Sequence, residues 1–224
     1  MNKKALSGFL IAVLLILAIA IMFPAGKNSP ETPRLPWDIT IDAAGNTAVF
    51  NLTLSQSTLA DAQKEFKKEA EISMFVSPEE SYTIEAYFKR LYISGIRADL
   101  ILTLDVDQAT AAKMYDRGQR LSQLGSGEKK ITLAHADNNR VMAAPISHIT
   151  YLPAASLDAE LIQGRFGKPE MRHTEPSGIA HWLYPKKGLD IALNPEGRAV
   201  LQYTSPAQFE QLTKPLYLNI DSIE

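Results

Sequence analysis

The chain has 224 residues, 46% of them hydrophobic, with 23 basic residues, 25 acidic ones and no cysteine. Without cysteine there are no disulfides, no thiol chemistry and no lipidated N-terminal cysteine. The mixed, near-balanced charge carries no basic stripe, so no nucleic acid is expected as a partner.

Lys3 and Lys4 precede a run from Gly8 to Phe23 that holds no charge. With Ala5, Leu6 and Ser7 the run covers 19 residues, close to the ~20 that cross a bilayer as helix. Residues 1–23 therefore read as a cytoplasmic stub and transmembrane anchor. The leading lysines keep the N-terminus inside, so the remainder is placed outside. The alternative is a signal peptide cleaved near Ala20, because Ala18-Ile19-Ala20 fits a small-x-small site. Both readings export the rest of the chain. Setting Lys3 and Lys4 aside, 21 basic residues face 25 acidic ones, a net charge of −4 for the exported part.

Residues 24–36 hold four prolines and no apolar period. They form a Pro-rich linker, either a spacer of roughly 40 Å in polyproline geometry or a chain of no set length. From Trp37 onward the pattern is that of a folded region of about 190 residues, enough for one ordinary core or two small ones. Asp38–Asp42 and Thr47–Phe50 alternate around an Ala43-Ala-Gly-Asn46 turn and predict a hairpin. Ser57 or Thr58 is read as the N-cap of a helix, with Asp61 three residues after Thr58 and Leu59, Ala62 and Phe66 on one face. Strands are expected at 70–76, 83–93 and 96–106, the last two joined at Ser94-Gly95. Asp107 is placed as the cap of a second helix running to about Leu124, where Gly125-Ser-Gly127 stops it.

Strands at 130–134 and 141–151 follow around an Asp137-Asn-Asn139 turn. Ser156 is read as the cap of a helix containing Leu157, Leu161, Ile162 and Phe166. Short strands are then expected at 170–173, 179–184, 189–193 and 199–203. Successive hairpins imply antiparallel pairing and an α+β class.

The two halves repeat the same parts at a spacing of about 93–100 residues. Each has a capped helix ending in Phe (Phe66, Phe166) and then an acidic-apolar strand. An aromatic strand follows (Ile84–Phe88, Ile179–Leu183), then a Gly turn (Gly95, Gly188) and an apolar strand (Ile96–Leu102, Leu189–Leu193). The expected architecture is an N-terminal transmembrane helix followed by two helix-plus-antiparallel-sheet units in tandem, residues 37–127 and 128–224. Phe66 and Phe166 should both lie between helix and sheet.

Arg165-Phe-Gly-Lys-Pro169, His181-Trp-Leu-Tyr184 and Asn194-Pro-Glu-Gly197 resemble the SmpA/OmlA (BamE-like) envelope domain over residues 156–203. In the first half, Lys67 and Glu69 stand where that pattern has Gly and Pro. The resemblance implies a small helix-on-sheet unit that works through protein contact, with no catalytic residues to carry over. A tandem of such units is similar to β-lactamase-inhibitor proteins.

No residue is assigned a catalytic, cofactor-binding or metal role, and no cofactor is implied. His135 with Asp137, and His173 with Glu175, have strand-like spacing for a metal, but a zinc site needs three or four convergent ligands. There is no Gly-x-Ser-x-Gly elbow. Gly125-Ser-Gly127 before Lys129 and Lys130 is too short for a phosphate loop. Glu79-Glu80 and the Asp105/Asp107 pair read as turn and cap residues rather than glycosidase acids. Asn51-Leu-Thr53 is a sequon without meaning in a bacterium. Tyr87, Phe88, Tyr92, Trp182, Tyr184 and Tyr203 fall on strands, where they fill cores or gather into a contact patch.

Three functions stay open. The first is a non-catalytic module on the bacterial inner membrane, held through residues 5–23, whose periplasmic part binds another envelope protein. The second is an envelope hydrolase with an unrecognised Ser or carboxylate site. The third is a small-ligand or peptide-binding module. A binder should expose an apolar or aromatic patch, a hydrolase should gather perturbed titratable groups in a pocket, and a ligand module should enclose an apolar cleft.

Overall fold

A computed structural model describes residues 34–125 and 127–218, which lie in one compact unit. The expected first hairpin is present as β1 (Thr40–Ile41) and β2 (Thr47–Val49), joined by β3 (Leu52–Thr53) into a small antiparallel sheet. Thr58 caps α1 (Leu59–Phe66) through a reciprocal box: its Oγ1 accepts from the Asp61 amide, and Asp61 Oδ2 accepts from the Thr58 amide at 2.9 Å. That satisfies two otherwise orphaned donors. Lys67 ends the helix in the left-handed region at φ 50°, and Gly167 ends the equivalent later helix at φ 86°. Both stops have positive φ, but Lys67, at ψ 40°, is left-handed helical, whereas Gly167, at ψ −175°, is extended.

Three strands follow as expected: β4 (Glu71–Val76), β5 (Tyr82–Ile93) and β6 (Ile96–Leu104). Asp107 caps α2 (Gln108–Asp116), its carboxylate accepting from the Thr110 amide at 2.9 Å. The helix stops eight residues before Leu124. Gly118 lies so close to Ile131 that a Cβ there would be 2.5 Å from its Cγ2, and Gln119 donates to the Thr132 carbonyl. The chain therefore turns back as β7 (Arg120–Gln123) against β8 (Lys129–Thr132).

The expected Asp137-Asn-Asn turn is instead α3 (His135–Val141). Buried Asp137 accepts a forked pair of bonds from Arg117 at 2.6 and 3.1 Å. This distant ion pair holds a segment whose local chemistry reads as a turn. β9 consequently begins at Ile146 and runs to Pro153. Asp158, rather than Ser156, caps α4 (Ala159–Phe166). β10 (Met171–Thr174), β11 (Ala180–Tyr184), β12 (Leu189–Leu193) and β13 (Ala199–Tyr203) form a meander, and α5 (Phe209–Leu218) ends the described chain.

The expected tandem of two separate helix-plus-sheet units does not form. Ten strands form one sheet in the order β10-β11-β12-β13-β9-β6-β5-β4-β8-β7, with every neighbouring pair antiparallel. β9 lies between β6 and β13 and joins the two repeats into a single sheet. The expected division near 125–130 falls inside the β7–β8 hairpin, where Gln123 pairs with Lys129. With five helices among the described residues, the fold is a mixed helix-and-sheet arrangement built on one antiparallel sheet. None of those helices is long and apolar enough to cross a membrane. The span expected over residues 5–23 lies outside the described residues.

Strand residues alternate between the two sheet faces. On one face Met74, Ile84, Phe88, Leu100, Tyr151 and Ile191 join Leu59 of α1 and Ile162 of α4 in a single core drawn from both halves. On the other face Leu183 is buried apart from that core, as is Phe209 of α5. Tyr217 of the same helix reaches the ring of His173 on β10 at 5.4 Å.

Candidate functional site

The face opposite the main core is open across β8, β4, β5, β6 and β9. Alternation places Ser73 and Phe75, Glu85 and Tyr87, Ile101, and Leu152 there, because Met74, Ile84, Ala86, Leu100, Leu102 and Tyr151 are taken by the core. Together with Glu71 and Lys130 they line a groove of about 350 Å³. Apart from Ser73, these groove residues keep part of their surface in solvent.

Charge in the groove is uneven. Lys130 Nζ pairs with Glu71 at 3.2 Å and lies 5.9 Å from the centre of the Phe75 ring. Tyr87 donates its hydroxyl to Asp99, whose other oxygen accepts from the Arg90 amide at 2.7 Å across the β5 bulge. Glu85 makes no hydrogen bond or ion pair among the described residues. Burial, then repulsion from Glu128, raises its pKa, and Lys130 offsets only part of this. A half-buried carboxylate without a partner favours an incoming cation.

Titratable groups converge in one other place. His181, buried on β11, holds Asp190 through Nδ1 at 2.8 Å and Glu175 through Nε2 at 3.1 Å. Burial pulls its pKa down, but the Asp190 bond and charge, followed by those of Glu175, raise it overall. Ser177 donates to Glu175 at 2.8 Å, not to the imidazole. Both ring nitrogens are engaged by carboxylates. The cluster therefore lacks the hydroxyl-to-imidazole bond that activates a serine. It acts as a buried ionic tie between β11, β12 and the turn before β11.

The residues singled out in sequence disperse. Of the six strand aromatics, Phe88, Trp182, Tyr184 and Tyr203 are in the core, Tyr87 is on the open face, and Tyr92 is 71% exposed near the end of β5. Asp137 is spent on Arg117. The rings of His173 and His181 lie 6.3 Å apart. Among the described residues no three His, Asp or Glu side chains are grouped to hold a metal. Sequence reasoning missed Phe75, Glu85, Ile101 and Leu152. Their signal was present: Leu100-Ile101-Leu102 breaks strict alternation with an apolar residue on the solvent side.

Comparison with known protein families, known proteins and solved structures yields no match to this chain.

Proposed function

We propose that the chain is a non-catalytic module, tethered to the bacterial inner membrane through residues 5–23. Its exported domain docks a segment of another envelope protein on the open half of the sheet. The observation that carries this reading is the groove over β4, β5, β6 and β9, where Phe75, Tyr87, Ile101 and Leu152 surround the unpaired Glu85. The partner segment is apolar with at least one Lys or Arg, because a cation there would relieve the desolvated carboxylate. The resemblance of residues 156–203 to an envelope domain that works by protein contact supports the same class of function.

In-cell photocrosslinking tests it. A photoreactive side chain at Ile101 should give one reproducible adduct with an envelope protein, and the same group at Gln163 on the exposed side of α4 should not. Glu85→Lys should abolish the Ile101 adduct by placing like charges together. Adducts equal at both positions, or unaffected by Glu85→Lys, would refute the docking reading. Protease added to spheroplasts should digest the domain, and a protected full-length chain would refute the topology.

A further inference from the structure

The covered face of the sheet holds a cleft separate from the groove on the open face. Tyr151 and Leu152 are neighbours on β9 and so point to opposite faces. Leu152 lines the groove, while Tyr151 lines a cleft of about 210 Å³ between α4, the sheet and the segment around Trp37. Its walls are Trp37, Leu157, Ile162, Phe166 and Leu201, and they are almost wholly apolar. A cavity of ~150 Å³ with such walls accepts benzene, so this one has room for a single ring with a small substituent.

Two polar groups stand out among the cleft residues. Tyr151 is 1% exposed and its ring stacks on Phe50 at 5.1 Å, yet its hydroxyl has no hydrogen-bond partner. The adjacent Tyr203 shows what satisfaction looks like: its hydroxyl donates to the Pro36 carbonyl at 2.8 Å. Burial pushes the Tyr151 pKa up to about 12, so the group is a neutral donor under physiological conditions. A buried hydroxyl left unbonded is costly and rare in native proteins.

The second feature is at the rim, where Leu161 is 41% exposed and Arg165 is exposed beside it. The Arg165 guanidinium lies 4.8 Å from the centre of the Trp37 ring and makes no ion pair among the described residues. Contact with the Trp37 ring restrains the guanidinium, whose N–H groups suit a planar acceptor.

We infer that this cleft binds a small aromatic carboxylate. Its ring would lie between Phe166 and Leu201, its carboxylate on Arg165, and a polar ring substituent would accept a hydrogen bond from Tyr151. The flat apolar walls select the ring, the guanidinium selects the anion, and the orphaned hydroxyl selects the substituent.

The test uses the full-length chain in detergent, titrated with benzoate and with 4-hydroxybenzoate. Tryptophan fluorescence and ligand-observed NMR report binding, since Trp37 lines the cleft. Both acids should saturate. Arg165→Gln should weaken both by about tenfold or more, the effect of losing one charge-assisted bond. Tyr151→Phe should weaken 4-hydroxybenzoate about fivefold and leave benzoate unchanged. Ala155→Trp, placed on the exposed rim, should plug the cleft and abolish binding while the circular dichroism spectrum stays that of the parent. Absence of saturation with both acids overturns the site. So does binding that survives the plug, or a Tyr151→Phe effect equal for the two acids.

Discussion

Phe166→Ala tests the correction from two units to one sheet. Phe166 is 4% exposed at the end of α4, with an edge contact to Trp37 at 6.2 Å and a tilted contact to Tyr184 at 6.5 Å between ring centres. Phe→Ala in a core costs about 3–5 kcal/mol, part of it for the void left behind. Here the void would merge with the existing cleft of about 210 Å³ that opens beside Arg165, so the enclosed-cavity part is reduced. Lost burial of ~1.5–3 kcal/mol plus roughly 0.5–1.5 for the aromatic contacts gives an expected cost of about 3 kcal/mol. Phe66, the matching residue of α1, is only half-buried and pairs with Phe88 alone, at 5.4 Å. Phe66→Ala should cost about half as much. Urea unfolding followed by tryptophan fluorescence reads both. With a slope near ~2 kcal/mol/M, the midpoint should fall by ~1.5 M for Phe166→Ala. Each variant should shift one whole transition, because β9 joins the two halves in a single sheet. Two transitions, only one of which moves, would refute the single-sheet reasoning. A Phe66→Ala cost equal to that of Phe166→Ala would refute the burial argument.

His181 has a pKa raised above the ordinary 6.5. Its stabilisation is therefore complete below the unfolded pKa and is lost as pH rises through the folded value. Urea midpoints should fall from acid to alkaline pH through that window in the parent and less in His181→Gln. Because burial lowers the His148 pKa, that residue contributes with the opposite sign, so the difference between the two curves is the readout, and parallel curves would refute the tie. Glu85 has a raised carboxylate pKa, so its favourable contribution is present below about 4.5 and is lost as pH climbs past the folded value. Glu85→Gln should raise stability at neutral pH while weakening partner crosslinking, and a destabilised variant would count against an unpaired carboxylate. Gly188 has φ 61°, and a Cβ there would stand 1.9 Å from the Thr204 carbonyl oxygen and 2.8 Å from Thr47 Oγ1. Thr47 itself donates to that carbonyl at 2.7 Å. Gly188→Ala should therefore cost at least ~3 kcal/mol or prevent folding, measured as soluble yield and urea midpoint.

Local chemistry was legible in the sequence where the determining partners are close along the chain. Thr58 with Asp61 and Asp107 with Thr110 cap helices within three residues, and the β5–β6 and β11–β12 hairpins follow from alternation and the glycines at 95 and 188. α3 was not legible, because its Asp137 is held by Arg117 twenty residues away. The second half of the expected helix after Asp107 was lost to β8, whose Thr132 takes the Gln119 amide. α5 is not legible in the sequence, because Pro215 lies inside it and a proline argues against a helix interior.

The sequence by itself determined the apolar N-terminal run, most of the strands, the Asp107 cap and several antiparallel hairpins, since these depend on residue type and near neighbours. Only the tertiary structure decided which non-adjacent strands meet: β4 with β8, β6 with β9 and β9 with β13. Those pairings make one sheet from two repeats. They also leave Glu85 on an open face and enclose Tyr151 beneath α4. Alternation says that two faces exist, but it does not say what covers each one, because burial is settled by segments far apart in the chain.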